Sequence, residues 1–157
     1  MAIDRATIGG TLVTGRQVRL ASDEPIPDKH SPGLNLKQIV VVAAKWHVDI
    51  VNRSGGPWSA VVKALKERSG VILQGDYDQI PAQYSGQAGF KGDHAVYINH
   101  AKDAAVSEVW WMDPLNKAGG FYIPVAIAVA YATKLAKSAG IYPGLFWATT
   151  RITPSLA

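Results

Sequence analysis

The chain contains no cysteine. That absence excludes disulfides, thiolate zinc sites and a cysteine nucleophile within these residues. No apolar stretch approaches the roughly 20 residues of a membrane-spanning helix. The longest, residues 123–131, is broken by Pro124 and diluted by alanine. The N-terminus has no apolar core of a secretory signal, so no leader is expected. Lysine and arginine are scattered, without a basic run. The net charge of +4 therefore forms no phosphate-binding arm, and no nucleic-acid partner is expected. The pairs Gly9-Gly10, Gly55-Gly56 and Gly119-Gly120 read as turns, and none has phosphate-loop spacing.

What remains is ordinary globular material. The 157 residues, 48% hydrophobic and 18% charged, suit a single domain over 1–157 with a real core. Residues 1–8 read as the tail of a helix stopped by glycine, and 11–20 as an alternating segment. A proline-rich loop follows over 21–33. Asn35 caps an expected helix over 36–46, with Leu36, Ile39, Val40, Ala43 and Ala44 on its apolar face. Residues 47–51 alternate like a strand. A second helix is expected from Pro57, with Trp58, Val61, Val62 and Leu65 inward, closed by Gly70 after a basic last turn.

The second half is richer in strands. Residues 71–77 suit a central strand, and 78–90 a surface loop. Two further runs, one headed by His94 and one over 107–112, are joined across 101–105 as in a hairpin. Trp110 and Trp111 point to opposite faces of the second run, so one is core and the other open. A turn over 116–120 precedes a short strand at 121–123. Pro124 opens a helix over 125–138, and residues 145–152 return as a last strand. Helices first and strands after imply an α+β fold with an antiparallel sheet.

The chemistry gathers around two residues. His94 heads the alternating run 91–100, and Asp113, followed by Pro114, ends the next strand. Such a pair is the base-and-orienter half of a nucleophilic triad. In that arrangement Asp113 is expected to hold Nδ1–H of His94 and leave Nε2 facing the nucleophile position. The bland alternatives are a core histidine satisfied by hydrogen bonds and an aspartate that merely initiates a turn. His30, His47 and His100, with Asp93 or Asp103, match no zinc spacing, so no metal site is expected. Ser31, Ser54 and Ser85 lie in loops outside any nucleophile-elbow motif, so no serine replaces the missing thiol. No cofactor is expected.

Three stretches together carry a family likeness: Gly70-Val71-Ile72-Leu73-Gln74-Gly75-Asp76-Tyr77, Phe90-Lys91-Gly92-Asp93-His94-Ala95-Val96 and Trp111-Met112-Asp113-Pro114-Leu115. They resemble the papain-like cysteine peptidase domains of tailed actinobacterial phages, which are similar to bacteriocin-processing peptidases. The resemblance spans roughly residues 1–125. It implies a papain-like fold, with N-terminal helices packed on the antiparallel sheet and the C-terminal helix as an addition. It also implies His94 as general base and Asp113 as its orienter. Gln74 lies in the strand motif and is assigned no oxyanion role. In relatives the nucleophilic cysteine precedes a segment like residues 1–7 in the same helix, and here the chain begins after that point.

The expectation is therefore a peptidase-fold phage protein that does not catalyse as given. It would be made in the host cytoplasm and carried in the virion, most plausibly in the tail. Its partners would be other virion proteins, copies of itself, or a peptidoglycan peptide. The alternative is an active cysteine peptidase or peptidoglycan amidase whose cysteine is encoded upstream of Met1. A host-directed binding protein outside the virion ranks last.

Overall fold

The structure, a computed structural model, describes residues 36–45, 48–116, 119–134 and 144–152. The expected elements over 1–20, the proline-rich loop and the Asn35 cap lie outside the described residues. In chain order the elements are α1 (Leu36–Ala44), β1 (Val48–Asn52), α2 (Trp58–Lys66), β2 (Gly70–Asp76), β3 (Asp93–Ala101), β4 (Glu108–Met112), β5 (Phe121–Pro124), α3 (Val125–Ala132) and β6 (Trp147–Ile152). The chain is α+β, and its six strands form an antiparallel sheet in the order β1-β6-β2-β3-β4-β5. It divides into two compact units, Met1–Asn52 with Thr150–Ala157, and Arg53–Thr149.

In the smaller unit, β1 alternates as expected, with Val48 and Ile50 buried and Asp49 and Val51 exposed. Helix α1 buries Val42 and Ala43, while Val41 and Ala44 face water. The expected face included Ala44 and left out Val42. Residues 39–44 are apolar all round, so spacing alone could not choose which side would be covered.

The larger unit is built on strand alternation. Val71 and Leu73 of β2, Val96 and Ile98 of β3, Val109 and Trp111 of β4 and Ile123 of β5 are buried on one face. The register sets Val71 against Ile98, Leu73 against Val96 and Ile98 against Trp111. Helix α2 adds Val61, Ala64 and Leu65 to this core, and α3 adds Ala128, Tyr131 and Ala132. Complete burial of a side chain such as Leu73 or Ile98 contributes about 2 kcal/mol.

Two helix ends differ from expectation. Helix α2 is closed by Arg68, not Gly70, which already belongs to β2. Arg68 takes a left-handed backbone (φ 59°), its N–H donates to Leu65 O, and the Ser69 N–H donates to Ala64 O. This is the paired bonding of a Schellman end, with an arginine where glycine is usual.

Helix α3 ends at Ala132; the expectation ran to 138, and its residues 135–138 lie outside the described residues. The carbonyls at its end and just past it have tertiary partners: Ala132 O accepts from Phe146 N–H, and Lys134 O accepts from Asp76 N–H. The Thr133 hydroxyl donates to Val129 O and Ala130 O. Pro124 is the N-cap of α3 and the last residue of β5 rather than the first helical position.

The loop over 78–90 is more structured than expected, with two 3₁₀ turns at Tyr77–Gln79 and Ala82–Tyr84. Asp76 starts the first by accepting from Asp78 N–H.

Candidate functional site: a buried histidine–aspartate pair

His94 sits one residue into β3, on the same face as the buried Val96 and Ile98. Opposite it in β2 is Gly75. A side chain at Gly75 has no room, because an added Cβ would lie 1.9 Å from the carbonyl oxygen of Tyr131. Helix α3 therefore passes directly over β2 beside His94, and the Tyr131 hydroxyl donates to the His94 carbonyl oxygen. A helix that looked like an addition outside the motifs thus underlies the histidine.

Asp113 follows the last residue of β4. It shares the core side with Trp111, and its side chain is fully inaccessible to solvent. Continuing the register of Tyr97 with Met112 sets Asp113 opposite Val96, two residues along the sheet from His94. Such a diagonal spans about 7–8 Å between backbones. The short aspartate therefore meets the far tip of the imidazole, and Nε2 of His94 lies 2.8 Å from Asp113 Oδ1. The expected assignment, with Asp113 on Nδ1, is thereby corrected. Among the described residues Nδ1 has no hydrogen-bond partner.

The carboxylate is satisfied on both oxygens. Oδ1 also accepts from Leu115 N–H at 2.8 Å, and Oδ2 accepts from the Tyr77 hydroxyl at 2.6 Å. The bond to Leu115, with that from Asn116 N–H to Asp113 O, is an Asx-type turn. The turn-initiator reading of Asp113-Pro114 and the pairing reading both hold, because Oδ1 accepts from Leu115 N–H and meets His94 Nε2 at once. Burial alone would raise the Asp113 pKa. The donors from His94, Tyr77 and Leu115 outweigh it and hold the group below the ordinary carboxylate value. An ionised Asp113 only accepts, so Nε2 carries a proton, and the lone pair of the neutral tautomer is then at Nδ1.

Aromatic rings flank the imidazole. Tyr77 packs edge-on at 5.1 Å between centroids, and Phe90 at 5.5 Å. The same two rings help line a cavity of about 290 Å³, with Ile80, Ala82, Ser85 and Lys91. Lys91 pairs with Asp78 at 3.3 Å on its exposed side.

Sequence reasoning did not single out Tyr77, Phe90 or Tyr131. For Tyr131 a signal was present: a tyrosine inside an apolar helix needs a partner for its hydroxyl. Burial, above all, pushes its pKa well up. For Tyr77, directly after β2, no spacing marks a role. Burial and the bond to Asp113 raise its pKa.

The remaining candidates are placed elsewhere. The register of β3 shifts between Ile98 and Ala101, and His100 turns to the outer face. There it stacks on Trp110 at 5.7 Å and meets Tyr122 edge-on. Trp111 is the core tryptophan of the adjacent pair and Trp110 the half-buried one. Asp103 accepts from the backbone and hydroxyl of Ser107. His30, His47 and Ser31 lie outside the described residues. Ser54 bonds the backbone of Trp147 in a turn. Among the described residues no three His, Asp or Glu side chains cluster as metal ligands. Among them, too, no helix is long and apolar enough to cross a membrane.

No protein-family model matches this chain, and no curated protein matches it. The case for its chemistry therefore rests on the geometry of the pair.

Proposed function

We propose that this chain is a papain-like peptidase-fold protein of a tailed phage, and that these 157 residues by themselves bind rather than cleave. The observation that carries the reading is the His94–Asp113 pair in a chain without a thiol. The imidazole is held through Nε2 and its Nδ1 is open, which is the arrangement of a general base. With no cysteine, that base has no side-chain nucleophile of the family's kind to activate. A fold can outlast the reaction it once served, its cleft becoming a binding surface. The likeness of the three motifs to those of phage peptidase domains supports a place in the virion, in the tail, with other virion proteins or further copies of this chain as partners. Mass spectrometry of purified particles tests this: the protein is expected among the virion components, and its absence from them removes the reading.

A second reading is favoured by how completely the pair is built. Both oxygens of Asp113 are satisfied, the carboxylate is held ionised, and the imidazole has a defined free nitrogen. In this reading a cysteine encoded ahead of Met1 completes a thiol peptidase, or an amidase acting on peptidoglycan peptides. Nδ1 of His94 takes the thiol proton, and the thiolate attacks the carbonyl carbon to form a thioester. The imidazolium returns the proton to the leaving amine, and water then hydrolyses the thioester. The DNA upstream of Met1 decides: an in-frame cysteine codon is required, and its absence ends the reading. Where the cysteine is present, Cys→Ala should abolish turnover. His94→Ala should lower kcat by about 10³-fold or more.

A further inference from the structure

We propose that Tyr77 is a positioning residue for the pair, locking the Asp113 carboxylate so that His94 presents a single, directed Nδ1. The inference rests on the reading of His94 and Asp113 as base and orienter.

A tyrosine hydroxyl has one proton to give and lone pairs to accept with. The Gly86 N–H donates to the Tyr77 oxygen at 2.9 Å. Asp113 has no proton to offer, so the hydroxyl proton goes to Oδ2, 2.6 Å away. The direction of every bond in the chain is then set, from Gly86 N–H to Tyr77 O–H to Asp113 Oδ2. On the other oxygen, Oδ1, His94 Nε2–H and Leu115 N–H converge.

Three segments far apart in sequence thus hold one carboxylate: the turn after β2, the head of β3 and the turn after β4. The loop that supplies Gly86 reaches Tyr77 because it lies tight against the turn after Asp113. An added Cβ on Gly86 would sit 2.5 Å from Asn116 N.

Removing only the hydroxyl leaves Oδ2 buried without a donor. The carboxylate is then held through Oδ1 alone and can tilt about its Cβ–Cγ bond, carrying its contact with His94 along. The imidazole loses its fixed direction, although the aromatic packing around it is unchanged.

Tyr77→Phe tests this in the full chain, because phenylalanine keeps the ring that packs on His94. Proton and ¹⁵N NMR of histidine-labelled protein would follow the Nε2–H proton of His94. The wild type should show this proton at low field and in slow exchange with water. Tyr77→Phe should exchange it at least about tenfold faster while keeping the wild-type amide spectrum. A role in packing alone predicts no change, and an unchanged exchange rate overturns the proposal. A wild-type His94 that carries its neutral proton on Nδ1 instead overturns the base-and-orienter reading itself. Should Tyr77→Phe fail to fold, the wild-type Tyr77 hydroxyl proton serves in its place. It should be visible and protected from exchange, and exchange as fast as that of an exposed tyrosine overturns the proposal.

Discussion

Asp113 concentrates most of the polar free energy of the site in one side chain. It is inaccessible to solvent and serves three donors, from Tyr77, His94 and Leu115. Asp113→Ala strands all three and should cost about 3 kcal/mol. Urea unfolding should show this as a lower midpoint with an unchanged slope; a loss under about 1 kcal/mol would mean that water replaces the carboxylate freely. The same group sets an acid limb. Its folded pKa is depressed, so below about pH 4, the ordinary unfolded value, the unfolded chain binds the extra proton. The stability contributed by Asp113 is therefore full above that value and is lost as pH falls through the depressed folded value. Wild-type protein should lose stability in that window more steeply than Asp113→Asn, which has no carboxyl to titrate. Parallel acid limbs in the two proteins would contradict the assignment.

At the scale of elements, the contact between α3 and β2 and the end of α2 make separate tests. Gly75 is where the helix backbone and the strand touch, with Tyr131 O occupying the place of a Cβ. Gly75→Ala forces α3 away from β2 beside His94 and should cost about 2–3 kcal/mol. Thermal unfolding would read this, and a near-neutral result would show that α3 yields. At Arg68 the reverse is expected. A left-handed arginine costs about 1 kcal/mol relative to glycine, so Arg68→Gly should stabilise by up to that amount. A destabilised variant would mean that the arginine side chain contributes more than its backbone costs. Both features escape periodicity, which reports which face is buried and not what touches it. The spacing of Trp58, Val61 and Leu65 located α2, yet no pattern marks Arg68 as its stop. The apolar run after Pro124 located α3. Its end at Ala132 depends on Phe146 and Asp76, neither of them near it in sequence.

For the whole molecule, α3 and the start of β6 are part of the core rather than an appendage. Tyr131 packs edge-on against Trp111 at 5.2 Å, and Ala128, Ala132, Leu145 and Trp147 join the same cluster as Leu73 and Ile98. A chain truncated after Pro124 should therefore lose cooperative thermal unfolding by circular dichroism. A truncated chain that melts as sharply as the full one would show that the motif region is self-sufficient. Much of this architecture was legible beforehand. The apolar run over 71–77, the alternating run over 91–100 and the run over 107–112 marked strands, and these pair antiparallel; a run of that kind reports a buried or half-buried strand without reference to its partner. The order of His94 and Asp113 along the chain pointed to two ends of neighbouring strands.

Composition and pattern alone determined that no thiol acts within these residues, that the chain is α+β, and that His94 and Asp113 head and follow adjacent strands. Local chemistry suffices for such conclusions. Only the tertiary structure decided which imidazole nitrogen Asp113 holds, that Tyr77 completes the carboxylate, and that Tyr131 of α3 lies beneath the histidine. Those outcomes depend on the diagonal register between β3 and β4 and on a helix carbonyl seated over Gly75. Each brings together groups separated by tens of residues, and no short-range periodicity encodes such distances.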